Sequence, residues 1–196
     1  MNPPPLTPTA GAGRPRRAPD DAELSGCAYT LYQLASQEQI EELVNVAVGW
    51  NLAFGPPGIA NLCALLTMGI LEGTPADQRS RGGVPQLHKI NAAPDSVGRA
   101  RNLLAVKLAE AGRPVPTLRE ANDALVSGQQ ATANAQSIID LMAPPAAGPA
   151  FTAAPAGNPA DPGRDVALRI ATASEADGIN LVLRLAMALG ALTWSS

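Results

Sequence analysis

Basic side chains concentrated in one stretch are the clearest candidates for chemistry in this sequence. Between residues 79 and 119 lie eight lysines and arginines against two acids, a net charge of +6; the remaining residues carry six basic and fifteen acidic side chains, a net −9. The eight are Arg79, Arg81, Lys89, Arg99, Arg101, Lys107, Arg113 and Arg119. Such separation predicts one basic surface on an otherwise acidic body, as a nucleic-acid-binding protein has. A solvated helix face stays open as the simpler interpretation.

Four residues of this stretch form the candidate phosphate-binding set. Arg99, Arg101 and Lys107 fall in one predicted helix, and Arg119 falls in the first turn of the next. Backbone N–H groups and the dipole at a helix start favour anions, which adds to the positive charge of Arg119. Only six residues of the chain are aromatic, so base stacking would be weak. We therefore expect the backbone of a nucleic acid to be bound, rather than its sequence.

Enzymatic chemistry has little support in the sequence. The single histidine, His88, stands in a polar connection rich in Gly and Pro, with no partner pattern nearby. The two cysteines, Cys27 and Cys63, give neither a zinc-binding spacing nor a disulfide framework, and Cys63 reads as a small buried hydrophobe. No Gly-rich phosphate loop follows a strand. We expect a protein that is not an enzyme and that holds no metal or cofactor.

Composition and periodicity predict an all-α fold with a helical bundle core. Alanine and leucine are strong helix formers, whereas β-branched and aromatic runs are scarce. Residues 1–24 are predicted to be a disordered Pro-rich arm and residues 25–143 the helical core. Residues 144–164 form a Pro/Ala/Gly loop, and residues 165–196 hold a C-terminal helix and a short tail. No apolar run reaches transmembrane length, so no membrane partner is expected.

Local signals predict where the helices begin and end. A capping-box pattern at Ser36 and Gln39 opens the first helix, which residues 55–57 (Gly-Pro-Pro) end; a second, central helix covers about residues 58–71. Each has an apolar stripe, formed by Ile40, Leu43, Ala47, Trp50 and Phe54 in the first and by Ile59, Leu62, Cys63, Leu66 and Ile70 in the second.

The remaining helices have equally local signals. A third, capped by Asp95 or Ser96, runs to about Glu110 and is ended by Gly112 and Pro114. Its expected buried residues are Leu103, Leu104, Val106, Leu108 and Ala109. A second capping box, at Thr117 and Glu120, opens a long helix to about Met142, and Ser174 caps the last helix to about Leu189.

The order of these pieces resembles the coat proteins of flexible filamentous plant viruses of the potexvirus type. The resemblance spans roughly residues 30–190, and each piece is short. The matching pieces are the Pro-rich arm, the helix start at 36–39, Glu-Gly-Thr at 72–74, Gly-Arg-Ala-Arg at 98–101, Thr-Leu-Arg at 117–119, Pro-Pro-Ala at 144–146, Ala-Phe at 150–151, Gly-Asn-Pro-Ala at 157–160, Leu-Arg at 168–169 and Ser-Glu-Ala at 174–176.

The resemblance implies a subunit that polymerises helically around single-stranded RNA, with N-terminal arms reaching to neighbouring subunits. The protein would then be found in the virion and in the host cytoplasm. The family's RNA pocket has an arginine, which Arg119 matches, and a hydroxyl residue, which Thr74 matches. It also has an aspartate, where this chain has Thr152. The alternative is a self-associating helical adaptor without nucleic acid, whose basic segment meets an acidic protein partner.

Overall fold

Helices make up nearly all of the structure, a computed structural model that describes residues 17–75, 84–90, 94–114, 123–143 and 162–192. The all-α fold predicted from the sequence is confirmed. The helices are α1 (Asp21–Ser36), α2 (Ile40–Gly73), α3 (Pro94–Glu110), α4 (Asp123–Met142), α5 (Pro162–Ala173) and α6 (Glu175–Leu192), with a short 3-10 helix at Leu87–Lys89.

Helix α2 is the centre of the bundle and packs against α1, α3, α5 and most extensively α6. It bends at Gly55, whose φ of 65° and ψ of −160° are not helical, and Pro56 and Pro57 follow. Proline has no N–H to donate to the preceding turn, so the break predicted at residues 55–57 becomes a kink. All ten residues of the two predicted apolar stripes are buried, which confirms both stripes.

By length and composition, α2 is also the one helix in the described part of the chain that could cross a membrane. No such helix was expected from the sequence, because residues 55–57 (Gly-Pro-Pro) are predicted to end one helix before the next apolar run begins. More than half of the most apolar window (56%) is buried inside the bundle. Packing within the core therefore accounts for the apolar character of α2.

Helix α1 was not predicted, since the first expected helix opened at Ser36, and its presence shortens the arm. Asp20 caps the helix: its side chain accepts from the backbone N–H of Glu23, and the Glu23 side chain accepts from the backbone N–H of Asp20. The arm boundary at residue 24 was therefore wrong, since residues 21–24 are helical. Residues 1–16 lie outside the described residues.

The capping box predicted at Ser36 and Gln39 was wrong as well. Ser36 is the last residue of α1, and its hydroxyl donates to the Gln33 carbonyl. Gln39 is the N-cap of α2 but makes no side-chain capping bond. Three residues join the helices, and among them Glu38 takes a left-handed φ of 55°. The pattern of a capping box was present, but the chain turns between its two members.

Helix α3 buries Ala100, Leu104 and Leu108, which stand four residues apart along one stripe. The predictions for Leu104 and Leu108 are confirmed, and Leu103 is partly buried against the core. The prediction that Val106 and Ala109 are buried was wrong, because Val106 is 51% exposed and Ala109 is exposed. At about 100° per residue, both lie on the far side of the helix from the buried stripe. Gly112, with φ of 63°, follows the end of the helix as predicted.

The C-terminal part contains two helices where one was predicted. Helix α5 begins at Pro162, inside the predicted loop of residues 144–164, so the loop was predicted to extend too far. Proline is well suited to the first helical position, where its missing N–H costs nothing. The cap at Ser174 is confirmed, because the Asp177 backbone N–H donates to its hydroxyl at 3.2 Å. The capping box at residues 117–120 lies outside the described residues.

Candidate nucleic-acid interface

Helix α3 carries three of the predicted phosphate-binding residues on the surface of the bundle. Arg99 is exposed, and Arg101 and Lys107 are partly exposed. Residues two apart lie about 200° apart around a helix, so Arg99 and Arg101 leave α3 on nearly opposite sides. Lys107 and Arg101 flank the buried stripe on its two edges. The helix therefore spreads its cations around its exposed surface and does not gather them on one face.

Among the described residues, Lys107 has only a weakly bound partner. Its Nζ lies 3.5 Å from Glu110 Oε2, one turn further along α3. The Glu110 side chain is 62% exposed, and an ion pair of this kind adds little to stability. The charge of Lys107 is thus available to a phosphate or to a neighbouring protein.

Arg113, by contrast, is held inside the subunit. Its Nε and Nη2 donate to both carboxylate oxygens of Glu175 at 2.6–3.1 Å. Asn51, which is 2% exposed, donates its Nδ2 to Glu175 Oε1 at 2.5 Å. The Glu175 carboxylate raises the pKa of Arg113. One of the eight cations of the basic segment is therefore used to join α2, the end of α3 and the start of α6.

Thr74, predicted as the hydroxyl residue of the RNA pocket, lies at the end of α2 and is 2% exposed. Its hydroxyl donates to the Ile70 carbonyl at 2.5 Å. The side chain is thus directed into the subunit rather than presented on its surface. A role of Thr74 in RNA binding stays a prediction.

Arg119 and Thr152 lie outside the described residues, as do Arg79 and Arg81. Lys89 and His88 are described and exposed, in the 3-10 helix. This segment is fixed to α4 by Gln136, whose side chain accepts from the Leu87 N–H and donates to the Pro85 carbonyl, both at 2.9 Å. The basic segment therefore reaches two sides of the bundle, along α3 and beside α4.

Sequence reasoning missed two arginines that make contacts between helices. Arg164 of α5 donates through Nε to Asn61 Oδ1 of α2 at 2.6 Å. Arg184 of α6 donates through Nε to Thr132 Oγ1 of α4 at 3.1 Å, and burial lowers the pKa of its guanidinium. The signal for Arg184 was a single charge inside an apolar run, a position that a core helix rarely tolerates.

The described residues hold no group of three or more His, Cys, Asp or Glu side chains suited to a metal ion. Cys63 is fully buried, as predicted, and Cys27 is partly buried. Burial raises the pKa of both thiols, that of Cys27 to about 12. Neither thiol has the lowered pKa of a reactive cysteine.

Comparison with models of known families, with curated proteins and with solved structures finds no match to this chain. Function is therefore inferred from the residues themselves and from the order of their motifs.

Proposed function

We propose that this chain is a viral coat subunit that polymerises helically around single-stranded RNA, in the virion and in the host cytoplasm where virions assemble. The observation that carries the proposal is the +6 segment of the sequence, whose described helix α3 lies at the bundle surface with Arg99 exposed and Lys107 weakly paired. The order of short motifs shared with filamentous-virus coat proteins supports the same conclusion.

The RNA is held through its phosphates. The described aromatic residues belong to α1 and α2 and not to the basic segment, and Trp50 and Phe54 are buried. Bases therefore cannot stack on these two rings, and RNA binding does not depend on the base sequence. A strand that passes many subunits needs only a few phosphate contacts in each, because the contacts add along the polymer.

The opposed directions of Arg99 and Arg101 suit a subunit that is covered on more than one side. In a helical polymer each subunit presents two different patches to its neighbours as well as one to the RNA. Cations on one side of α3 would face phosphates, and those on the other side would face the acidic body of the next subunit. Large apolar side chains that a neighbour could cover occur on four helices: Tyr29, Leu52, Met68, Val106 and Leu141.

The first test is to purify the protein and examine it by negative-stain electron microscopy, with the RNA content measured at several salt concentrations. We expect flexible rods whose RNA is released as salt rises. In binding assays Arg119→Ala should weaken RNA affinity far more than Arg14→Ala, Arg16→Ala or Arg17→Ala. It should also flatten the slope of log affinity against log salt by about 0.7, the loss of one phosphate contact on a single strand.

Equal losses in Arg119→Ala and in the arm variants would contradict the assignment of Arg119. A discrete oligomer without RNA would instead favour the adaptor. One observation gives that alternative some weight: Arg113 neutralises Glu175 within the subunit, so part of the basic segment serves the fold.

A further inference from the structure

Arg184 is the one charged residue in the apolar middle of α6. Its neighbours from Leu181 to Ala188 are all buried. The Arg184 side chain lies in the seam between α6 and α4, where Nε donates to Thr132 Oγ1 at 3.1 Å. Its Nη1 is buried and has no hydrogen-bond partner in the described part of the chain. Within the described ranges, no carboxylate forms an ion pair with this guanidinium.

A guanidinium in this position costs stability. Arginine stays protonated even where burial lowers its pKa, so the charge cannot be removed by titration. A partly buried charge without a counter-charge, and a buried N–H without an acceptor, both oppose folding. Leucine or methionine would fill the same seam without either cost. The charge is therefore expected to serve a partner outside the subunit that brings a negative charge.

We infer that Arg184 binds a backbone phosphate of the RNA, a contact on a different helix from the cations of α3; this inference rests on the proposed function. Arg184 as a whole is partly exposed, so a phosphate at the mouth of the seam would supply the counter-charge that the guanidinium lacks. Arginine suits this task because its guanidinium keeps its charge when partly buried and directs the N–H groups of its planar fork at fixed angles. Thr132, by accepting from Nε, fixes the plane of the fork.

A second donor lies close to the same place. Asn180 stands four residues before Arg184, one turn away on the same side of α6, and it is partly exposed. Its amide N–H groups suit another oxygen of the same phosphate. Thr132 of α4 thus orients the charged group of Arg184, and Asn180 lies one turn away on α6 as a neutral donor.

The test compares Arg184→Met with the unchanged full-length protein, using fluorescein-labelled oligouridylate as the RNA probe. Methionine fills the seam without a charge, so the RNA-free variant should melt higher, by about 2–4 °C. The same variant should bind the probe about tenfold more weakly, as expected for the loss of a hydrogen bond to a charged group. Its slope of log affinity against log salt should be flatter by about 0.7.

Two control variants separate charge from packing. Arg169→Met removes an exposed arginine of α5 and should change neither the melting temperature nor the affinity. Arg184→Lys keeps the charge but loses the planar fork, so it should keep the original salt slope and regain much of the affinity. Equal loss of affinity in Arg184→Met and Arg184→Lys, with the original slope in both, would show that packing is responsible and would overturn the inference.

The remaining outcomes distinguish this inference from the proposed function. If the unchanged protein binds the probe and Arg184→Met binds it equally well, with the same slope, Arg184 is not a phosphate contact while the proposed function stands. If the unchanged protein binds no RNA at any salt concentration, both are overturned. A lower melting temperature in Arg184→Met with unchanged affinity would make Arg184 a structural residue only.

Discussion

Glu175 shows how one carboxylate at a helix start joins three parts of the bundle. It lies in the first turn of α6, where a negative charge is favourable, and it accepts from Asn51 of α2 and from Arg113 just after α3. The Glu175 side chain is 17% exposed, against 37% for Arg113. Hydrogen bonds to a charged group that is largely shielded from water are among the stronger ones in a protein.

Changing Glu175→Ala should lower the free energy of unfolding by about 1–3 kcal/mol, because both donors lose a charged acceptor. Glu175→Gln should cost less, since its amide oxygen still accepts from Asn51. The matched control is Asp177→Ala, which removes an exposed acid from the same first turn and should cost only a few tenths of a kcal/mol. Urea denaturation with an unchanged m-value measures each difference. Equal losses in Glu175→Ala and Asp177→Ala would mean that only the helix dipole is involved.

The sequence predicted which residues could bind an anion, but not which of them are free to do so. Arg113 and Glu175 are 62 residues apart in the chain, and no local pattern indicates that they pair. Arg99 and Arg101 are two residues apart in a predicted helix, so their opposite directions could be predicted from the spacing alone. Arg184 lies outside the basic segment, and the signal for it is a lone charge in an apolar helix.

At the scale of elements, the kink in α2 decides how the central helix packs. Its two halves lie on either side of Gly55, and Trp50 of the first half donates from Nε1 to the Gly58 carbonyl of the second at 2.9 Å. The Trp50 and Phe54 rings, with centroids 4.4 Å apart, lie just before the kink. The bend is thus held by a buried hydrogen bond across it.

Gly55→Ala should destabilise the fold by about 1–3 kcal/mol, since φ of 65° with ψ of −160° is a conformation that essentially only glycine adopts. The control is Gly49→Ala on the same helix, where an added methyl group meets nothing within 4 Å. That change should stabilise by about 0.5–1 kcal/mol, because alanine loses less entropy than glycine in a helix interior. Thermal and urea denaturation measure the change in stability of each variant, and the two changes should have opposite signs. Stabilisation by both would show that the kink straightens without cost.

The sequence signals predicted α2, α3 and α6, whereas α1 and α5 were not predicted as helices. The stripes of α2, the stop at Gly112 and the cap at Ser174 depend on neighbours within a turn or two, so the sequence carries them directly. Helix α5 follows a run rich in Pro and Gly and itself begins with Pro162 and Gly163, which favoured a loop. Gly163 is needed there because an added Cβ would lie 2.6 Å from the Met142 side chain, a contact between distant residues.

At the scale of the whole molecule, the chain enters the bundle at Arg17. Its guanidinium pairs with Glu23 and lies 5.2 Å from the centre of the Phe54 ring, so it contacts both α1 and α2. The pairing also lowers the pKa of Glu23, chiefly through the hydrogen bond from Arg17. Arg17 and α1 therefore belong to the fold, and a test of the arm must leave them in place.

We expect that deleting residues 2–16 leaves the melting temperature almost unchanged, because the Arg17–Glu23 pair and the cap at Asp20 remain. Deleting residues 2–24 removes both along with the first turn of α1, and should lower the melting temperature by about 2–4 °C, the equivalent of one lost cap.

If the arm joins neighbouring subunits, both deletions should shorten or abolish the filaments, since the energy of the arm would lie between subunits rather than within them. Melting curves beside particle-length distributions from negative-stain micrographs separate the two contributions. A large drop in melting temperature on deletion of residues 2–16 would make that stretch part of the fold. Filaments of unchanged length would remove the arm from assembly, and if the protein also retained no RNA, the adaptor would be the better description.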